Sequence, residues 1–182
     1  MRRSLGILLL AAGLAGLGLW AWRYFFPNPE QVIRSGLRRM AQLASFRANE
    51  GPLAKLGNAQ ELASLFTGTV EVKVDLPGHG PMRVAGRDEL MKSLLAIRQR
   101  VSALRVDFLD VNVQFEAGGD TAIANLTLKA AVPGERDFAV EEFNFHLRRS
   151  GRRWLVELVE TVKTLSERSR ERGDRLTAGF AA

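Results

Sequence analysis

The residues from Leu104 to Thr164 constrain the fold more than any others, because three apolar strand-like segments follow one another there with a short glycine-containing turn between each. Val106 and Phe108 share one parity, whereas Leu109, Val111, Val113 and Phe115 share the other. Phe138 and Val140 give way in the same manner to Phe143, Phe145 and Leu147 across Glu141 and Glu142. Side chains alternate faces along a strand, so a slip of one residue is what a β-bulge produces, and bulges bend sheets. Two slips in neighbouring strands predict a strongly curved antiparallel sheet. The turns Gly118-Gly119-Asp120, Pro133-Gly134 and Ser150-Gly151-Arg152 are short enough for hairpins.

Upstream, the pattern changes to helical spacing. Ile33, Leu37, Met40 and Ala44 fall on one face after Pro27-Asn28-Pro29, with Arg34, Arg38 and Gln42 on a solvated face. Gly36 costs that helix about 1 kcal/mol relative to Ala, so close packing or fraying is expected there. Gly51-Pro52 breaks the chain before a second helical stretch, in which Asn58 and Glu61 resemble a capping box ahead of Leu62, Leu65 and Phe66. Val70, Val72 and Val74 alternate with Glu71, Lys73 and Asp75 as in a half-covered strand. Pro77 to Pro81 turns the chain, and Met82 to Ala85 returns as a short partner. A third helix opens at Gly86-Arg87-Asp88-Glu89 and buries Leu90, Leu94, Ile97 and Val101, with Met91 and Leu95 widening the stripe.

Of 182 residues, one domain of ordinary size occupies 29–165, preceded by a basic tail at 1–4 and a hydrophobic segment at 5–26, and followed by a disordered charged tail at 166–182. Leu5 to Trp22 carries no charge, and eighteen helical residues span about 27 Å, close to a hydrocarbon core. The run ends in Trp20, Trp22, Tyr24, Phe25 and Phe26, which suit a membrane interface and are poor cleavage residues, so an uncleaved transmembrane signal-anchor is favoured over a cleaved signal peptide. The expected address is the inner membrane of a bacterial envelope, crossed once, with lipid contacted through the anchor and the domain on the extracytoplasmic side.

The chain carries a formal net charge of +6, but residues 1–50 hold seven Arg against two Glu, which leaves the folded part with a surplus of one. A nucleic-acid reader needs a dense basic face, so no nucleic-acid partner is expected. The absence of cysteine removes disulfides, thiolate metal sites and a Cys nucleophile together. His79 and His146 are the only histidines and have no metal-ligand spacing. No metal and no cofactor are expected.

The helices, the short strand pair and the long bent strands in this order resemble the nuclear transport factor 2-like superfamily, which includes ketosteroid isomerase and the SnoaL-like polyketide cyclases. The residues carrying the resemblance are Leu65-Phe66-Thr67-Gly68-Thr69-Val70-Glu71-Val72 at the join from second helix to first strand, Val84-Ala85-Gly86-Arg87-Asp88-Glu89-Leu90 at the third helix, and Trp154, Val156 and Leu158 in the closing strand. The fold so implied is an α+β cone: a strongly curved antiparallel sheet packed against about three helices in a cone-shaped barrel, here preceded by one transmembrane helix. The resemblance also implies a cavity between sheet and helices and dimers through the sheet's outer face. It implies no catalytic set, because the isomerase needs a pocket tyrosine and the sole tyrosine is Tyr24, outside the domain.

The expected ligand pocket comprises Phe66, Met91, Phe108 and Trp154. The candidate catalytic acids are Asp110 after the first slip, Glu142 at the second, and Glu160, which continues the parity of Trp154 and Val156. Desolvation in an apolar pocket raises a carboxyl pKa and suits it to general-base work. Outward, solvated acids are the plainer expectation. The leading reading is therefore a binding module for a small apolar ligand or an envelope protein partner, with homodimerisation open. A cyclase, isomerase or dehydratase using one of these acids is the alternative, and a structural spacer in a membrane complex the third.

Overall fold

The computed structural model describes residues 28–76, 80–134 and 138–162 of the chain. Three helices and six strands follow in the order α1 Pro29–Ala44, α2 Pro52–Ser64, β1 Phe66–Leu76, β2 Gly80–Ala85, α3 Arg87–Arg100, β3 Arg105–Phe115, β4 Thr121–Ala131, β5 Phe138–Ser150 and β6 Arg153–Thr161. The expected span at 5–26, the charged tail at 166–182 and His79 lie outside the described residues. Among the described residues no helix is long and apolar enough to cross a membrane.

The helices follow from local chemistry. Asn28 caps α1 by accepting from the Glu30 N–H at 3.0 Å, and Pro29 takes a first-turn position where its missing donor costs nothing. Ile33, Leu37, Met40 and Leu43 turn inward. Arg34, expected on the wet face, instead pairs with Glu30 at 2.8 Å and donates to the Val111 carbonyl at 2.7 Å, which ties α1 to β3. A Cβ at Gly36 would meet nothing within 4 Å, so close packing, one of the two outcomes expected there, is not found, and the helix runs on through it to Ala44. The capping box is corrected: α2 starts at Gly51 and Pro52, and Asn58 lies inside it. Gly86 has φ 87°, a conformation open to glycine, and its N–H donates to the Val70 carbonyl at 2.7 Å. Arg87 then reaches back to the Phe66 carbonyl, and Glu89 accepts from the Ala85 N–H at 3.0 Å. Asp88 and Glu89 complement the positive end of α3.

The sheet order is β2-β1-β6-β5-β4-β3, antiparallel throughout except for the parallel pair of β1 and β6. Because β2 and β3 are edges that do not pair with each other, the expected strongly curved antiparallel sheet closing a cone-shaped barrel is overturned. The architecture is an open, six-stranded mixed sheet with three helices. The stretch expected to hold three strands holds four, since its three turns separate β3, β4, β5 and β6.

The first slip is a bulge. Leu109 pairs with Thr127 and Asn112 with Asn125, leaving Asp110 and Val111 opposite Leu126, and Asp110 takes φ 52°. The second slip is not. Strand β5 keeps unbroken register with β4 from Phe138 to Arg148, and Phe138 and Val140 stay on the outer face, 59% and 46% exposed. The extra residue falls in β6, where Glu157 lies between the partners of His146 and Leu147.

The inner face carries Ala122, Ala124, Leu126, Phe143, Phe145 and Leu147, packed under α1. The edge of β3 is guarded by α1 and the turn after it. Ser45 Oγ accepts from the Val106 N–H at 2.9 Å and gives its one proton to the Ala41 carbonyl at 2.8 Å. Phe46 and Leu104 exchange backbone hydrogen bonds at 2.8 and 2.9 Å. Such cover blunts an edge that would otherwise template further strands.

Candidate functional site

A cavity of about 220 Å³ lies between the inner face of the sheet and the helices. Phe66, Val72, Phe108, Phe145 and Val159 supply its sheet wall, and Leu90 and Leu94 of α3 close it from above. Phe108 and Phe145 pack with centroids 5.7 Å apart, an attractive tilted pair. Its sole charged wall residue among the described ones is Arg98.

Arg98 is 2% exposed and fully countered. Its Nη1 donates to Glu50 at 2.5 Å, its Nη2 to the Leu43 carbonyl at the end of α1, and its guanidinium lies 4.7 Å from the Phe46 ring centroid. The second Glu50 oxygen accepts from Asn58 Nδ2 at 2.5 Å. One carboxylate thus joins the α1–α2 connection, α2 and α3 beside the cavity. Breaking a buried pair from one side costs about 3–5 kcal/mol, because the survivor is left charged without a partner.

Sequence reasoning missed this cluster. The signal was the spacing of Leu90, Leu94 and Arg98, which puts the arginine on the buried stripe of α3.

Of the expected pocket residues, Phe66 and Phe108 line the cavity, whereas Met91 and Trp154 do not. Trp154 packs edge-on against Phe115 at 5.8 Å, beside the core. None of the three candidate acids lines the cavity. Asp110 is exposed at the bulge, and Glu142 is exposed opposite Thr127. Glu160 lines a separate cleft of about 570 Å³ with Lys73, Arg83, Asn144 and Thr161, and its Oε1 is 3.3 Å from His146 Nε2. A carboxylate holding an imidazole in this way can orient it for proton transfer. Among the described residues no group of three or more His, Asp or Glu is placed to hold a metal ion.

An open mixed sheet covered on one face by three helices over an apolar hollow is the nuclear transport factor 2-like, cystatin-like fold. Solved structures agree: a nuclear transport factor 2-like protein with a cystatin-like fold from Novosphingobium aromaticivorans is 20% identical, with TM-score 0.57, covering 88% of this chain and 93% of that one. A protein from the same organism provisionally named a scytalone dehydratase is 16% identical, with TM-score 0.56 and coverages of 74% and 83%. Another, provisionally named an aromatic ring hydroxylase, is 15% identical, with TM-score 0.55 and coverages of 75% and 93%. No family model matches the chain, and no curated protein does. At these identities the likeness is one of fold.

Proposed function

We propose that this domain takes up a small apolar molecule in the cavity under α1 and α3. The observation that carries it is a 220 Å³ hollow walled by apolar side chains whose one charge is already neutralised. Dry apolar cavities of about 150 Å³ hold a benzene ring, so one or two rings, or a short alkyl chain, match the space. Titration of the full-chain protein with naphthalene, followed by chemical shifts, should give saturable binding that Leu94→Trp abolishes by filling the space. Absence of saturation in the wild-type protein overturns the proposal.

The second reading is turnover of a small molecule held in the outer-face cleft, rather than in the inner hollow, by a cyclase, isomerase or dehydratase with a carboxylate base. It is favoured by the enzymatic names of two similar structures and by Glu160, which lines its own cleft with His146 at 3.3 Å. A general base contributes about 10²–10⁴ in rate, so turnover found with a cyclisable or dehydratable aromatic substrate should fall by that factor in Glu160→Gln. Unchanged rates in Glu160→Gln, Asp110→Asn and Glu142→Gln remove this reading. The place of the domain is a separate proposal resting on sequence alone. The charge-free run at 5–22 with its flanking aromatics supports an inner-membrane address, domain outward, which protease accessibility in spheroplasts tests.

A further inference from the structure

A second hollow shares part of its wall with the apolar cavity. A cleft of about 920 Å³ runs between the exposed flank of α1 and the first half of β3, and Phe46, Leu104, Val106 and Phe108 line both spaces. Its chemistry is opposite. Arg38, Arg47, Arg105 and Lys129 face it against a single acid, Asp107. Asp107 is taken by Arg105 at 3.0 Å, and Lys129 rests 4.5 Å from the Phe138 ring centroid. Arg38 and Arg47 are exposed, and neither forms an ion pair among the described residues. The cleft therefore presents an uncompensated positive field beside a wall of apolar side chains, which attracts and orients an anion.

We infer that the ligand is an anionic amphiphile, a small carboxylate or phosphate monoester whose apolar part enters the inner cavity while its charged end lies in the cleft against Arg38 and Arg47. This rests on the proposed uptake of an apolar molecule and adds the charge that selects it. Arg98 is not the anion's partner, because Glu50 already holds it. A guanidinium fork matches a carboxylate or phosphate in two parallel hydrogen bonds, which suits the two free arginines to this role.

The test is calorimetry on the full-chain protein with octanoate, octan-1-ol and acetate, in low and in 0.5 M salt. Octanoate should bind at least tenfold more tightly than octanol, acetate should not bind measurably, and the octanoate advantage should shrink in salt. The double variant Arg38→Gln/Arg47→Gln should bring octanoate to the affinity of octanol while leaving octanol unchanged. Arg39→Gln, an exposed arginine that faces Glu61 instead, should change neither. Octanol binding as well as octanoate, or a double variant that behaves as wild type, overturns the inference and leaves apolar uptake standing. Binding of neither chain compound overturns both.

Discussion

The two faces of the sheet are made by the same strands and do opposite things. Along β5, Phe143, Phe145 and Leu147 are buried under the helices, while Asn144, His146 and Arg148, one residue away each time, sit on the other side with Glu160 and Glu157. The inner face holds the hollow, whose wall among the described residues carries one cation, Arg98, already countered. The outer face holds polar pairs in contact with water, among them Arg148 with Glu157 at 2.6 Å and Arg83 with Glu71 at 3.1 Å. What this teaches is that the acids best suited to proton transfer and the space best suited to an apolar molecule are separated by the thickness of the sheet.

The contrast breaks most readily at its charges. Arg98→Ala should lower unfolding stability in urea by about 3–5 kcal/mol, because Glu50, its side chain 10% exposed, is left without its counter-charge. Arg148→Ala should stay within about 0.5 kcal/mol of wild type. Equal losses at the two sites would erase the distinction between the faces. Asp110, where the bulge interrupts the alternation, is the next test: with φ 52° it should lose about 1–2 kcal/mol when replaced by Val and nothing when replaced by Gly. A Val variant as stable as wild type would show that the strand can revert to flat pairing.

Gly36→Ala, on the helix that roofs the inner face, should gain about 1 kcal/mol, because the added methyl meets open space and the helix loses its most flexible residue. A loss there would mean that the roof moves against the sheet. The smallest effect belongs to Glu71 on the outer face. The hydrogen bond from Lys73 and then the charge of Arg83 hold its carboxyl below the ordinary range. A lowered folded value gives stability that is present above the unfolded pKa and lost as pH falls through the folded one. The difference between wild type and Glu71→Gln in thermal melts should therefore vanish on acidification, and a difference that grows instead would reverse the sign.

Much of this was legible because local rules suffice for it. Ile33, Leu37 and Met40 marked the buried stripe of α1, Val70 to Asp75 marked a strand, and the parity change at Leu109 marked the bulge. What escaped depends on distant partners. Phe138 and Val140 were read as inward because they are apolar, yet the register with β4 leaves them outside. Strand β4 escaped because its inner face opens with two small residues, Ala122 and Ala124, and the alternation puts Thr121, Asn125 and Thr127 on the outer face, which breaks up the apolar run. The parallel contact of β1 with β6 joins residues some ninety positions apart, which no window along the chain reveals. Of the four residues expected at a pocket, Phe66 and Phe108 lie on the cavity wall and Met91 and Trp154 do not, while Arg98 and Glu50 escaped, since burial of a charge follows from a counter-ion 48 residues away.

The position of β6 between β1 and β5 has a consequence for biosynthesis. The strand that completes the middle of the sheet is the last of the six to leave the ribosome, so the β1–β2 hairpin and the β3–β4–β5 meander must wait as separate halves with unpaired inner margins. Long-range pairing of this kind folds slowly and leaves partly made chains open to association. Shielding of nascent chains up to the emergence of Arg153–Thr161 is thus a demand set by topology, whatever the finished domain goes on to bind.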